Sequence, residues 1–304
     1  MLGLNYDYAS CVRSSEKISW RVDDVMPADT RLDFSRPFLP ANLAGRGELP
    51  FLSPAEHRTL NQITGNSYLN LFAFVEEYIL ATMLQHAQAE MFGDHVAIRA
   101  LTRFADEEAK HQQLFYRYIE AFKRDFGHKA EVLESAGTVA GVVLSKSPIA
   151  VMMLTYHLEI MTQAHYTECV KTDESIDPFF AKLLHYHWLE ESQHARIDAL
   201  ELDKLLNDAS KEQIEIGFND YLDLVGAVDG LLLQQAGMDV RALAEATGRT
   251  FDTDQIAAIT KAQHAGYRYT FLIYGMSNPS YVESMNKMSP SGAARVKEKA
   301  ASLS

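Results

Sequence analysis

Apolar and polar positions follow a helical period over most of the chain. After Ser53-Pro54, a cap residue followed by proline that is typical of a helix start, apolar side chains recur every three or four residues. Glycine and proline, 16 and 9 in number, are too few to end the many short strands of a β-fold. The pattern therefore predicts an all-α protein with long helices near 55–92, 94–126, 147–171, 177–208 and 211–236, and shorter ones near 239–247 and 253–276.

The connections between these helices predict how they pack. Long helices joined by short turns pack as antiparallel neighbours, so the first four should form an up-down bundle with one longer link after Phe126. The segment before the bundle is rich in proline and glycine, which is typical of an extended arm. We predict an extended N-terminal arm over 1–54, a helical domain over 55–288 and a flexible tail over 289–304, with the last helices of the domain lying outside the four-helix bundle.

Two of the predicted helices carry the same short motif, Glu-Glu-x-x-His. It begins at Glu107 and ends at His111 in one helix, and it begins at Glu190 and ends at His194 in another. Chance predicts about 0.8 Glu-x-x-His pairs in such a chain but only about 0.1 with a doubled Glu. Residues three apart lie one above the other on a helix, so each motif directs a carboxylate and an imidazole to the same place.

The motifs belong to a larger internal repeat. Glu76 lies 32 residues before Glu108, and Glu159 lies 32 residues before Glu191, which is typical of two helical hairpins related by a pseudo-twofold axis. Neighbours at helical spacing are mostly apolar or aromatic around these four residues, so we predict that they face the core. Glu107 shares its face with Arg103 and Lys110, and it is expected to be solvated or at most to support a ligand.

Four carboxylates and two imidazoles in an apolar core need positive charge, because an unpaired buried ion costs several kcal/mol. Four Glu side chains balance two divalent metal ions, and a carboxylate-rich site with a few histidines suits iron or manganese. One Glu from each of two helices and Glu-x-x-His from each of two others is the ligand set of ferritin-like di-metal bundles. The predicted fold is thus a ferritin-like four-helix bundle, with metal ligands Glu76, Glu108, His111, Glu159, Glu191 and His194.

His187 lies one turn before Glu191 on the same helix face, and it is either a further ligand or a core histidine bonded to backbone. Four other polar residues have open roles. Thr162 and Gln163 either line the oxygen site or pack between helices. Asp198 either accepts a hydrogen bond from a ligand imidazole or is solvated, and Arg268 either meets an anionic substrate or forms a surface ion pair.

At these residues the sequence resembles the p-aminobenzoate N-oxygenase family of di-iron proteins, over roughly residues 60–205. The shared pattern is a helix Glu, Glu-x-x-His, a second Glu, and His-x-x-x-Glu-x-x-His. The resemblance implies two Fe ions, with Mn an alternative, and O2 as co-substrate. It implies that His187 completes a set of seven ligands: Glu76, Glu108, His111, Glu159, His187, Glu191 and His194.

The resemblance also implies a non-haem di-iron oxygenase that oxidises a small organic substrate, with N-oxygenation of an amine as the family's reaction. The alternatives are a di-iron desaturase or oxidative cleavage enzyme, and a non-oxygenase such as a ferroxidase or di-manganese catalase. The substrate is not indicated. The chain shows no Gly-x-Gly-x-x-Gly turn and too few cysteines for an iron–sulfur cluster, so an external reductase is the expected electron donor.

Composition and charge restrict the partners and the compartment. A formal net charge of -13 argues against a nucleic-acid partner. No window approaches the roughly 20 apolar residues of a membrane span, and the N-terminus lacks the pattern of a secretory signal. The two cysteines, Cys11 and Cys169, suit a reducing compartment. We therefore expect a cytoplasmic protein, a homodimer, without membrane or nucleic-acid partners.

Overall fold

The computed structural model describes residues 2–134 and 136–304, and within those ranges the regular structure is helical without any strand. The predicted all-α class is therefore confirmed. The α-helices are α1 (Tyr8–Ser15), α2 (Val22–Val25), α3 (Pro54–Ala89), α4 (His95–Phe126), α5 (Ala136–Leu144), α6 (Pro148–Ala164), α7 (Pro178–Asp208), α8 (Lys211–Thr247), α9 (Thr253–Arg268), α10 (Tyr274–Met276), α11 (Pro279–Met288) and α12 (Pro290–Ser302). Two π-helical segments, His165–Val170 and Tyr269–Ile273, extend α6 and α9.

The bundle consists of α3, α4, α6 and α7, in which α3 packs on α4 and α6 packs on α7. The start of α3 follows the predicted signal, with Ser53 accepting a hydrogen bond from the backbone of Glu56 and Pro54 in the first turn. Asp94 and Asp177 cap α4 and α7 in the same manner. Side-chain caps therefore mark the starts of three of the four bundle helices, and at the fourth, α6, Pro148 occupies the first turn.

The predicted long link after Phe126 contains a helix that the sequence pattern did not predict. Gly127, with a φ of 74°, ends α4 in the left-handed conformation that glycine adopts readily. After the intervening loop, α5 packs on α3. It was missed because Gly137 and Gly141 lower the helix propensity of a short apolar stretch.

The N-terminal arm lies against the bundle, and its first part is helical rather than extended, since α1 packs on α4 and α7. Further along, Phe38 is buried and stacks on Phe180 at a ring-centroid distance of 5.4 Å. This contact requires Gly65, where a Cβ atom would lie 2.9 Å from the Cβ of Phe38. The arm therefore contributes to the hydrophobic core.

Two expectations for the C-terminal third are wrong. A break was expected at Gly237, but α8 continues through it, because one glycine costs a helix only about 1 kcal/mol. The tail after Ser289 was expected to be flexible, but it forms α12, which buries Val296 and Ala300. Gly292 makes this docking possible, since a Cβ atom there would lie 2.6 Å from the ring of Phe218. Small residues gave the tail a low hydrophobicity and thereby concealed its buried face.

Among the described residues, no helix has both the length and the apolar character that crossing a bilayer requires.

Candidate metal centre

All seven predicted ligands lie inside the four-helix bundle, each with at most 3% of its surface exposed. Helix α3 contributes Glu76 and helix α6 contributes Glu159, so the two single carboxylates come from the first helix of each hairpin. The second helix of each hairpin, α4 or α7, contributes the histidine motifs. The cluster is formed by Glu76, Glu108, His111, Glu159, His187, Glu191 and His194.

One group of four residues joins the two motifs. Glu108 and His111 on α4 meet Glu191 and His194 on α7, and each residue places one donor atom within 4.8 Å of the other three. His194 Nδ1 lies 3.0 Å from Glu108 Oε1, and His111 Nδ1 lies 3.4 Å from Glu191 Oε1. The spacing within each helix and the packing between α4 and α7 therefore produce a site with two oxygen and two nitrogen donors.

A second group contains Glu76, His111 and His187, again with donor atoms within 4.8 Å of one another. His187 Nε2 lies 3.1 Å from Glu76 Oε1 and 2.9 Å from Glu191 Oε1. The Nε2 atom of His187 therefore contacts two carboxylates of this cluster and not a backbone group.

Glu159 lies at the edge of the cluster and belongs to neither compact group. Its Oε2 atom is 3.9 Å from His194 Nδ1, and its carboxyl group interacts with that of Glu191. The structure thus brings all seven residues together, with Glu159 further from the other donor atoms.

Seven donor atoms of this cluster lack hydrogen-bond partners among the described residues. Both oxygens of Glu108, one oxygen each of Glu76, Glu159 and Glu191, and the Nδ1 atoms of His111 and His194 are buried without a partner. Leaving so many buried polar atoms unpaired would cost several kcal/mol in total. Oxygen and nitrogen lone pairs directed at a common space are the arrangement that a metal ion satisfies, so the residues fit a di-metal centre.

The first Glu of each motif fixes the imidazole of the other motif. Glu107 Oε2 accepts a hydrogen bond from His194 Nε2 at 2.8 Å, and Glu190 Oε2 accepts one from His111 Nε2 at 2.9 Å. A proton held on Nε2 leaves Nδ1 with a free lone pair that points into the cluster. This exchange between α4 and α7 explains why the motif has a doubled Glu.

Of the two roles expected for Glu107, solvation is wrong, whereas support of a ligand agrees with its contact with His194. Only 5% of its surface is exposed, because helix α1 covers it and Ser15 Oγ donates to its Oε1 atom. Asp198 was one candidate to accept a hydrogen bond from a ligand imidazole, but Glu107 accepts that bond from His194. Asp198 itself is fully buried, and neither of its carboxyl oxygens has a hydrogen-bond partner among the described residues.

The arm covers the other half of the site in a similar way. The Trp20 ring stacks on His111 at a centroid distance of 5.9 Å, with 11° between the ring planes. Lys110 Nζ lies 4.2 Å from the centre of the Trp20 ring and donates to Glu190 Oε1 at 2.5 Å. The sequence did not indicate Trp20 and Ser15 as covering residues, since nothing in the local pattern relates the arm to the motifs.

Three other candidates have ordinary structural partners. Thr162 donates to the backbone of Leu158 at 3.0 Å, and Gln163 donates to the backbone of Trp188 at 3.1 Å. Arg268 forms two hydrogen bonds with Asp229, at 2.6 and 2.7 Å. Thr162 and Gln163 therefore make the contacts of helix-packing residues, and Arg268 forms an ion pair.

The charges in the cluster shift the titration of its members in opposite directions. Burial, followed by repulsion from Glu108, raises the pKa of Glu76 well above its usual value, and burial with repulsion from Glu191 does the same for the pKa of Glu159. Burial also acts on Glu108, but contacts with His111 and His194 lower its pKa to about 2. Without metal, protons supply part of the missing positive charge.

The Glu107→Ala variant is expected to bind metal about 10- to 100-fold more weakly than the parent, because His194 loses the acceptor that orients its ring. Titration of metal-stripped protein with Fe(II) or Mn(II) measures this affinity, and circular dichroism reports whether the helices persist. Asp106→Ala, at the exposed position immediately before, is the matched control. Equal affinities of the two variants would contradict the positioning role of Glu107.

Comparison with known proteins adds to this geometry. The family described as P-aminobenzoate N-oxygenase AurF matches residues 12–221. In sequence, no curated protein matches the chain. Among solved structures, a point mutant of an R2-like ligand-binding oxidase with an aerobically reconstituted Mn/Fe cofactor is similar, with a TM-score of 0.48 and 16% identity over 86% of this chain and 92% of that one. Another mutant, with a reconstituted Fe/Fe cofactor, has a TM-score of 0.47 and 17% identity over 86% and 91%.

Proposed function

Since the chain belongs to the p-aminobenzoate N-oxygenase family, and is thus an oxygenase of that class, we propose that it holds two iron ions between α3, α4, α6 and α7 and N-oxygenates a small amine. The proposed ligands are Glu76, Glu108, His111, Glu159, His187, Glu191 and His194. The observation that carries this assignment is the pair of histidines whose Nε2 protons are held by Glu107 and Glu190 while Nδ1 faces the carboxylates.

The donor set favours iron, with manganese as an alternative. Four carboxylates balance the charge of two divalent ions, and three imidazoles add nitrogen donors of intermediate softness. The described residues offer no thiolate to the cluster, since Cys11 and Cys169 lie outside both groups. This composition argues against a closed zinc site.

The chain's own residues orient the ligands and exclude water. Glu107 and Glu190 keep the tautomers of His194 and His111, and the arm covers Glu107 with Ser15 and His111 with Trp20. Phe104 stacks on the His194 ring at a centroid distance of 3.8 Å and limits its movement. Bound iron supplies the electrons and Lewis acidity with which such sites reduce O2.

The proposed reaction transfers one oxygen atom of O2 to nitrogen. A primary amine R–NH2 becomes the hydroxylamine R–NHOH, and the other oxygen atom leaves as water after taking up two protons and two electrons. The electrons come from an external reductase, because the chain offers no second redox centre of its own by sequence. Association with that reductase, a homodimeric state and a cytoplasmic location are parts of the same proposal.

Metal analysis together with an oxygen assay tests the proposal. Protein purified aerobically with iron is expected to contain about two iron ions per chain, with Mössbauer signals of a coupled pair. With a reductant and an aryl amine, it should consume O2 and yield a hydroxylamine or more oxidised product. Rapid disproportionation of H2O2 without amine oxidation would instead indicate a catalase, and iron oxidation alone would indicate a ferroxidase.

A further inference from the structure

The N-terminal arm contacts both halves of the proposed metal centre. On one side, Ser15 Oγ donates to Glu107, whose other oxygen holds the Nε2 proton of His194. On the other side, the Trp20 ring stacks on the ring of His111. Two arm residues that lie close together in sequence therefore contact, directly or through one carboxylate, the two histidines whose Nε2 protons are fixed.

Solvent lies one layer of side chains outside these contacts. The seven proposed ligands are at most 3% exposed, so metal ions need a route through the surrounding structure. Glu190 is covered by Lys110, whose side chain is 22% exposed. Ser15 is covered by Arg103, whose side chain is 34% exposed and whose Nε atom donates to Ser15 Oγ at 2.6 Å. The face of the bundle under the arm is therefore a short way into the site.

The segment between α1 and α2 has few buried contacts. Over residues 16–21, four side chains are exposed, Ile18 is partly buried, and Trp20 alone is buried, with 6% exposure. The ion pair between Glu16 and Arg99 lies in solvent, where such pairs contribute little to stability. Segments with so few buried contacts open locally at a low cost in free energy. Opening of residues 16–21 requires the removal of only one buried ring, that of Trp20.

A metal ion bound at Nδ1 favours the docked position of this segment. Metal binding fixes the tautomer and the ring plane of an imidazole. The Trp20 ring lies 11° from the plane of the His111 ring, so a fixed imidazole stacks on it better than one that rotates. A fixed His194 likewise holds Glu107 in place for Ser15. The docked arm thus binds metal more tightly than the open arm, and such a difference lets a ligand shift a conformational equilibrium.

We propose that residues 16–21 form a gate for the metal ions, which opens when Trp20 leaves His111 and closes over the loaded centre when Trp20 returns. Trp20 and Ser15 act through His111 and Glu107, so both are positioning residues. The inference rests on the proposed function, because it takes the ligand set from there. It adds how the centre is filled and how the metal ions are retained.

Hydrogen exchange of the unmodified chain tests the gate without any substitution. Amides of residues 16–21 are expected to exchange about tenfold or more slowly in protein loaded with Mn(II) than in metal-free protein, because loading lowers the open population. Helix α12, which packs on α8 and α11, is the internal reference and should exchange alike in both forms. Equal exchange of residues 16–21 in the two forms would overturn the inference.

The two tryptophans of the chain provide a matched pair of variants. Trp188 has its ring contacts with Tyr166 and His185, at centroid distances of 4.7 and 5.8 Å. Trp20→Ala is expected to take up Mn(II), and to lose it to a chelator, about tenfold or more faster than the parent, because the gate has lost its buried ring. Trp188→Ala should match the parent in both rates. Unchanged rates in a folded Trp20→Ala protein would contradict the gate.

The reciprocity of linkage separates a gate from simple packing. The metal affinity of Trp20→Ala should fall by about the same factor by which metal slows the exchange of residues 16–21 in the parent. A weaker affinity without metal-dependent exchange in the parent would indicate a packing role and would overturn the inference.

The same measurements distinguish the gate from the proposed function. Metal-dependent exchange in a protein that oxidises no amine would reject the proposed function alone. Amine oxidation by a protein whose exchange does not depend on metal would reject the gate alone, and a chain that binds no metal would overturn both.

Discussion

The Glu191→Gln variant is expected to lose most of its bound iron, falling from about two ions per chain to less than about 0.5, and to lose about 100-fold or more of its activity. Glu191 Oε1 lies within 4 Å of ring nitrogens of three histidines, at 3.4 Å from His111, 2.9 Å from His187 and 3.7 Å from His194. Glutamine keeps the size of the side chain but removes the negative charge. Elemental analysis and oxygen consumption measure the two effects.

Glu77→Gln is the control for this variant. Glu77 is partly exposed and follows the proposed ligand Glu76, and it accepts a hydrogen bond from Tyr116 at 3.1 Å. The same change of charge there should leave iron content and activity at the parent values. If the Glu191→Gln protein kept its iron and its activity, Glu191 would not be a required ligand, and the proposed ligand set would lose its central member.

Removal of the two metal ions is expected to destabilise the protein by about 4 kcal/mol for each ion when free metal had been present at about 1,000 times its dissociation constant. For a chain of this size, each such loss lowers the melting temperature by roughly 10 °C. The physical reason is that the stripped cluster leaves buried carboxylates facing one another. Differential scanning calorimetry before and after chelation checks the shift, and readdition of Fe(II) should reverse it.

The loss of stability that metal removal causes should become larger as the pH rises from about 7 to 9. Burial and neighbouring carboxylates raise the pKa of Glu76 and Glu159, and contacts with Glu108 and Glu190 raise the pKa of His111 to about 9 in spite of burial. In this range the folded, metal-free protein holds protons that the unfolded chain has released, so it loses stability as the pH rises through those pKa values.

In the loaded protein the ligands are already deprotonated, so this loss should be absent. The buried histidines whose pKa is lowered, His157, His165 and His187, do not alter the sign, because they are neutral in both states above about pH 7. If the difference in unfolding free energy between metal-loaded and metal-free protein became smaller from about pH 7 to 9, the protonation states assigned to Glu76, Glu159 and His111 would be contradicted.

Much of the centre was predictable because its geometry is largely local. The distances between Glu108 and His111, and between His187, Glu191 and His194, are set by helical spacing within α4 and α7. The repeat added Glu76 and Glu159, since a hairpin of fixed length returns the chain to the same depth of the bundle. Helix starts were predictable for the same reason, as with Ser53 and Pro54 at α3.

Other features were not predictable because the interacting residues lie far apart in sequence. Glu107 was expected to be solvated from its neighbours on α4, yet its partner His194 lies 87 residues later, and Ser15, which covers it, lies 92 residues earlier. Helix α12 was concealed in the same way, because Gly292 fits against Phe218 on another helix.

The sequence by itself determined the helical class, the bundle and the two directions from which carboxylates and imidazoles converge, because period and spacing along one helix fix which side chains share a face. Tertiary structure alone decided which Glu of each pair holds the opposite histidine, and what covers the site. Those properties arise where separate helices and the arm meet, and no local pattern records which surfaces will be in contact.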